Sequence, residues 1–176
     1  MNTGPVDQKP RHCTIGRLST SMPGLTLNKL TVADAPAYYA VLDRNRDHLS
    51  RYGDYQDEAN ATPAWAVDHL AQSASDRFGI WQNHLLIGRV DLVHAAPPQY
   101  GLGYWISHDA ARHGYATAAC AAVLRHAYTS HDATDIFAGV SHGNIPSIAV
   151  LRRLGFRPIT RLGHHTRFHL PLRPTG

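Results

Sequence analysis

The chain of 176 residues carries 43% hydrophobic and 17% charged residues with 14 Gly and 11 Pro, a composition that fits one folded domain and excludes a disordered or low-complexity chain. Its 17 Lys plus Arg against 13 Asp plus Glu leave a formal charge of +4, a balance suited to an anionic ligand without demanding a nucleic-acid polymer. Two cysteines, Cys13 and Cys120, exclude a disulfide framework, no apolar run is long enough to span a bilayer, and residues 1–24 lack the apolar stretch of a signal peptide, so a cytoplasmic, membrane-free protein is expected.

Residues 1–24 are expected to form a loose N-terminal arm, with a single domain over 25–174. Leu25 to Leu30 alternates apolar and polar residues, the period of a strand with one buried face. Thr31 and Asp34 then precede a segment to about Arg51 in which Tyr38, Val41, Leu42, Asn45 and Leu49 recur at helical spacing, predicting one broken helix or two short ones. Thr62-Pro63 is an N-cap followed by a first-turn proline, opening a helix expected to reach about Asp76. Phe78 to Gln82, the Asn83-His84 turn and Leu85 to His94 predict a hairpin, and Tyr100 to Ser107 a third strand of a meander beyond Pro97-Pro98. Residues 115–129 place Ala116, Ala119, Cys120, Val123, Leu124 and Ala127 on one flat helical face. A strand at Ile136 to Ser141, a helix from Asn144 through Leu154 stopped by Gly155, and strands at 156–162 and 167–172 complete the order. A mixed α/β sheet with helices on both faces accommodates this sequence of elements.

The most informative segment runs from Gly103 to Thr117: a strand, a short basic loop ending in Gly114, and a helix start. The first N–H groups of a helix lack intrahelical partners and lie at the positive end of its dipole, so this loop and helix start can accept a phosphate, with Arg112 and His113 as added donors. Ser141-His-Gly-Asn144-Ile-Pro-Ser147 opens a second strand-loop-helix unit that ends in Leu154-Gly-Phe156.

Together, His113-Gly-Tyr-Ala-Thr117 and Asn144-x-x-Ser147-x-x-x-Leu151-x-x-Leu154-Gly-Phe156, about thirty residues apart, resemble the GNAT N-acetyltransferase superfamily, and within it the RimJ/RimL-type branch. Asn45-Arg-Asp-His-Leu49, Phe78-Gly-Ile80, Leu86-Ile-Gly88 and Gly103-Tyr-Trp105 extend the resemblance over roughly residues 25–172. It implies a GNAT fold: a mixed, mostly antiparallel central sheet with two splayed parallel strands, here 104–107 and 136–141, and helices on both faces. Acetyl-CoA would enter the splay as co-substrate. The resemblance assigns the pantetheine to the backbone of Trp105 and Ile106, the pyrophosphate to Arg112, His113, Gly114, Tyr115, Ala116 and Thr117, and the thiol end to Asn144 and Ser147.

Several positions depart from the family pattern. Its Gln/Arg-x-x-Gly-x-Gly/Ala motif falls on Ala111 to Ala116, with Ala111 at the first position and Arg112 where a glycine is usual. Arg112 either supplies the missing charge or obstructs close backbone approach. The tyrosine that many relatives use to protonate the departing thiolate falls at Leu151, leaving Ser147 as the expected donor; the glutamate after Gly-Phe falls at Ile159. Because aminolysis needs a neutral amine, a base or a proton-accepting water chain helps, and Asp91 and then His142 are the candidate bases.

The thirteen histidines invite a metal reading at His164, His165 and His169, or at His108 and His113. Adjacent strand residues face opposite ways and no CxxC or HExxH motif is present, so no metal is expected. The expected activity is acetyl transfer from acetyl-CoA to a primary amine, on a small molecule or a peptide N-terminus, by a monomer or homodimer. Alternatives are a transferase using another acyl donor, such as an aminoacyl-tRNA, which alone would bring in nucleic acid, and a non-catalytic module that binds CoA or a small molecule.

Overall fold

The computed structural model describes residues 16–172. The described strands are β1 (Arg17–Ser19), β2 (Leu25–Lys29), β3 (Ser75–Gln82), β4 (Leu85–Ala96), β5 (Gln99–Ile106), β6 (Asp135–Ser141), β7 (Arg157–Leu162) and β8 (His165–Pro171). The helices are α1 (Ala35–Asp43), α2 (Arg46–Ser50), α3 (Gln56–Ala59), α4 (Pro63–Ala71), α5 (Tyr115–His131) and α6 (Ile145–Arg153). The strands form one sheet in the order β1-β2-β3-β4-β5-β6-β8-β7, antiparallel at every junction except β5–β6. This is the mixed, mostly antiparallel sheet expected from the sequence.

Local chemistry sets the boundaries. The Thr62 side chain accepts from the Trp65 amide at 3.1 Å, with Pro63 in the first turn of α4, and Asn144 accepts from the Ser147 amide at 3.3 Å to cap α6. The β3–β4 hairpin turns on Asn83 and His84, both at positive φ (46° and 71°), as a two-residue turn matched to strand twist requires. Gly155, at φ 91°, ends the α6 segment in the left-handed region.

Three expectations change. The helix from Pro63 stops at Ala71, five residues short of Asp76, because Gln72 turns extended (ψ 142°) and Ser75 already pairs with Val93 across the hairpin; sheet pairing overrides helical spacing there. The short helix α3 had no periodic signal. The segment expected as an arm is partly built into the sheet: Arg17, Leu18 and Ser19 pair with Asn28, Leu27 and Thr26, while residues 1–15, with Cys13, and the end of the domain at 173–174 lie outside the described residues.

Both faces of the sheet are covered. On one, Ala119, Cys120, Val123 and Ala127 of α5 pack on Phe78, Ile80, Val90 and Leu92; the small residues let the helix approach closely. On the other, Tyr38, Val41 and Leu42 of α1 and Ala66 and Leu70 of α4 pack with Leu86 and Trp105. Each fully buried large apolar side chain contributes roughly 1.5–3 kcal/mol.

Candidate active site

The one parallel junction carries the site. β5 and β6 are paired only at Gln99–Asp135, Tyr100–Ile136 and Gly101–Phe137, after which the strands separate over Leu102–Ile106 and Ala138–Ser141. β6 stays paired with β8 along its whole length, and β5 stays paired with β4. The opening is therefore a wedge in an otherwise continuous sheet, and strand backbone that turns into it loses its ladder partner.

Side chains from the α2–α3 region meet that backbone. The Tyr55 hydroxyl donates to the Tyr104 carbonyl at 2.6 Å and accepts from the Tyr104 amide at 2.9 Å. Two residues on, the Ile106 carbonyl pairs with His48 Nε2 at 3.1 Å. Across the wedge, Asp54 Oδ1 accepts from the Ser141 hydroxyl at 2.5 Å and from its amide at 3.2 Å, and Oδ2 accepts from Asn144 Nδ2 at 3.1 Å. Neighbours Asp54 and Tyr55 thus grip one splayed strand each. Because backbone groups alternate along an antiparallel strand, the residues turned into the wedge are Tyr104 and Ile106, whereas Trp105, opposite Arg89, turns its amide and carbonyl toward β4. The ring of Trp105 is buried beside Tyr38 instead. Of the two backbone positions expected to bond a pantetheine, Ile106 faces the opening and Trp105 does not.

The proposed anion cradle begins just beyond. Arg112 adopts φ 67° and Gly114 φ 80°, so Arg112 takes the left-handed backbone that the family pattern gives to glycine, and its side chain is exposed. Alternation of such residues turns successive N–H groups toward one side, an arrangement that suits anions. The Ala118 amide closes the first α5 bond on the Gly114 carbonyl at 3.0 Å, which leaves the amides of Tyr115, Ala116 and Thr117 without intrahelical acceptors. His113 stacks on Tyr115, with centroids 5.4 Å apart. A cleft of about 490 Å³ adjoins this loop, lined among others by Arg44, Asn45, His48, Arg51, His108 and His113; Asn45 Oδ1 accepts from the His108 amide at 2.9 Å and fixes its floor.

Behind Tyr55 lies a buried charge group. Arg89 bridges Glu58 at 2.9 Å and Asp91 at 2.8 Å, and it also donates to the Tyr38 hydroxyl. One guanidinium thus faces two carboxylates. Burial pushes the Asp91 carboxyl above its ordinary value against the opposing pull of Arg89, and its Oδ1 is buried without a hydrogen-bond partner. Asp91 lies opposite Gly103, and a side chain at Gly103 would meet both Asp91 Oδ2 (3.8 Å) and the Tyr55 hydroxyl (3.9 Å), so the charge group reaches the wall of the wedge. Burial raises the Tyr55 phenol and lowers His48, keeping both neutral at neutral pH.

Ser147 lies half-buried in the first turn of α6, and its carbonyl accepts from the Tyr104 hydroxyl at 3.0 Å, which ties β5 to α6 across the opening. The structure therefore brings Ser147, Asn144 and Ile106 to one opening. His142 follows β6, with its amide bonded to the His164 carbonyl at 2.9 Å and its Nε2 buried and unpartnered; no contact joins it to Asp91. Asp54, His48 and the backbone of Tyr104 were missed by sequence reasoning, although Asn45-x-x-His48 lay within a segment already marked by resemblance.

A model of the acetyltransferase (GNAT) domain matches residues 24–157. No curated protein sequence matches the chain. Among solved structures, RimL, a ribosomal L7/L12 alpha-N-protein acetyltransferase in complex with coenzyme A, superposes with a TM-score of 0.78 at 15% identity, covering 88% of this chain and 97% of that one. RimJ of Mycobacterium smegmatis, in complex with CoA-disulfide, gives 0.73 at 23% identity over 89% and 87% of the two chains. The microcin C7 self-immunity acetyltransferase MccE, in complex with acetyl-CoA and AMP, gives 0.74 at 15% over 86% and 94%. These likenesses carry the fold; the matched domain, the wedge and the order of elements around it place this chain in the GNAT acetyltransferase family.

Proposed function

We propose that the protein transfers an acetyl group from acetyl-CoA to a primary amine, with the acyl-bearing arm in the β5–β6 wedge and the pyrophosphate against the 112–117 loop. The observation that carries this reading is the wedge itself: its β5 wall offers the polar backbone of Tyr104 and Ile106, held by the replaceable side-chain hydroxyl and imidazole of Tyr55 and His48 rather than by a ladder. The arm's amides fit the same donors and acceptors, and the helix start fits a dianionic pyrophosphate.

In the transfer, the neutral amine attacks the thioester carbonyl, a C–N bond forms and the C–S bond breaks. Asp91, with its raised carboxyl and an unpartnered Oδ1, takes the amine's proton through intervening water, since the side chain is itself buried. Ser147, in the first turn of α6, passes its proton to the departing sulfur and is reprotonated from water as the proton taken up by Asp91 is released to solvent. His142 is the second candidate base. Asn144 orients the thiol end while Asp54 fixes its amide.

The acceptor class belongs to the same proposal. RimL is an alpha-N-protein acetyltransferase, which favours a peptide or protein N-terminus over a small-molecule amine. A cytoplasmic location, a single acyltransferase domain that takes in β1 ahead of residues 25–174 and a monomer or homodimer complete it; among the described residues no helix is long and apolar enough to cross a membrane.

Acetyl transfer to a panel of N-terminal peptides and small amines tests the reading. Ser147→Ala is expected to lower kcat by about 10²-fold or more, with the affinity for acetyl-CoA unchanged. An unchanged kcat removes Ser147 from the mechanism.

A further inference from the structure

At the far end of α5 from the phosphate loop, four titratable side chains converge from three elements. Asp76, near the start of β3, has a side chain only 12% exposed. His131 Nε2 lies 3.1 Å from Asp76 Oδ2 and 3.2 Å from His126 Nε2, and His94 Nε2 of β4 lies 3.1 Å from the same carboxylate oxygen. The ligand atoms of Asp76, His126 and His131 all fall within 4.8 Å of one another. Lys29 Nζ occupies the other oxygen, Oδ1, at 2.8 Å and leaves Oδ2 to the histidines.

Two observations separate this group from an ordinary ion-pair network. Four-coordinate zinc with bonds near 2.0–2.1 Å places neighbouring donors roughly 3.3–3.5 Å apart, so the contacts at His131 need lengthen by only a few tenths of an ångström to admit an ion. In addition, two imidazole nitrogens face each other between His126 and His131, where only one proton fits, and His126 Nδ1 is buried without a partner. The ring's only polar outlet is therefore Nε2, directed into the cluster.

We propose that Asp76, His126 and His131, with water completing the set and His94 holding the shared carboxylate oxygen, form a site for a divalent transition metal of the zinc class that clamps the C-terminal end of α5 to the start of β3. Tyr115 and His126 are eleven positions apart in α5, or about 16 Å at 1.5 Å per residue, so the ion is structural and takes no part in acyl transfer. It steadies the helix whose other end forms the phosphate loop, and it does not depend on the identity of the acyl donor. A sequence search for metal motifs passes over it because the ligands come from β3 and α5, and the two helical histidines are spaced i, i+5 at the helix end rather than i, i+4.

The test is a calorimetric titration of the tag-free, chelator-stripped full chain with Zn²⁺, with Mg²⁺ as control. A single equivalent of Zn²⁺ is expected to bind and to raise the thermal midpoint, while Mg²⁺ does neither. The double variant His126→Gln/His131→Gln is expected to weaken Zn²⁺ binding by more than about tenfold while circular dichroism shows it folded. Asp76→Asn, which preserves shape and removes only the carboxylate charge, weakens it independently. Absence of Zn²⁺ uptake by the wild-type chain overturns the proposal, and so does undiminished affinity in both variants, which would put the ion on other histidines.

Discussion

The two ends of the β5–β6 junction are made of the same two strands but solve the backbone problem differently. At the closed end, Gln99 to Gly101 pair with Asp135 to Phe137, and the ladder satisfies itself over the fully buried Ile136. At the open end, Tyr104, Ile106 and Ser141 are satisfied by Tyr55, His48 and Asp54, side chains 58 to 87 positions away in sequence for Ile106 and Ser141 and 49 for Tyr104. The closed end is a stability device. The open end is a set of exchangeable hydrogen bonds, and an exchangeable bond is what a ligand that inserts between strands requires.

That contrast can be broken most severely from behind. Arg89→Leu leaves Glu58 and Asp91 buried without their shared cation and is expected to cost about 3–5 kcal/mol, read as a lowered urea midpoint; a loss under about 1 kcal/mol would mean that the charge group does not support the open end. At the closed end, Ile136→Ala is expected to cost about 2–5 kcal/mol through the cavity it leaves, with CoA affinity unaltered in the folded protein, since nothing exchangeable is touched. Tyr55→Phe sharpens the contrast. It is expected to lose about 1–3 kcal/mol by unpairing the Tyr104 backbone, yet to bind CoA more tightly because the ligand no longer displaces a hydroxyl; weaker binding would show that Tyr55 holds the ligand instead of yielding to it.

The smallest expected effect is a pH dependence. Burial lowers His48, His69 and His126 from 6.5, His69 down to about 3. Below the unfolded value the unfolded chain binds protons that the folded chain refuses, so their contribution is complete above that value and is lost as pH falls toward the folded values. The urea midpoint is expected to drop between about pH 7 and about pH 6. A rise over that interval contradicts the burial of these rings.

Much of this frame was legible in the sequence where its cause is local. Thr62-Pro63 and Asn144 act as caps on their own helices, Asn83-His84 turns its own hairpin, and the apolar face of α5 follows from spacing within one helix. The splay was legible through resemblance, which a family model over residues 24–157 bears out. What stayed hidden is tertiary. Which backbone groups of Gly103-Tyr-Trp-Ile106 face the wedge depends on the parity of pairing with β4, and a one-residue offset moves the assignment from Trp105 to Tyr104. Asp54 and Tyr55 lie between two short helices with no periodic signal, and their partners are set only once the chain has folded. The helix from Pro63 was overextended because its spacing continues into residues that the hairpin claims.

The central claim is that the open end of the β5–β6 junction receives an acyl-CoA, with its phosphates at the α5 start. Isothermal titration of the purified chain with acetyl-CoA at modest ionic strength tests it most directly. The account predicts saturable binding near the micromolar range that is abolished by Gly114→Val, which forces a branched side chain into the left-handed backbone at φ 80°. No detectable binding by the wild-type chain would contradict it, and would mean that Ala111 and Arg112 have changed the donor that this wedge accepts.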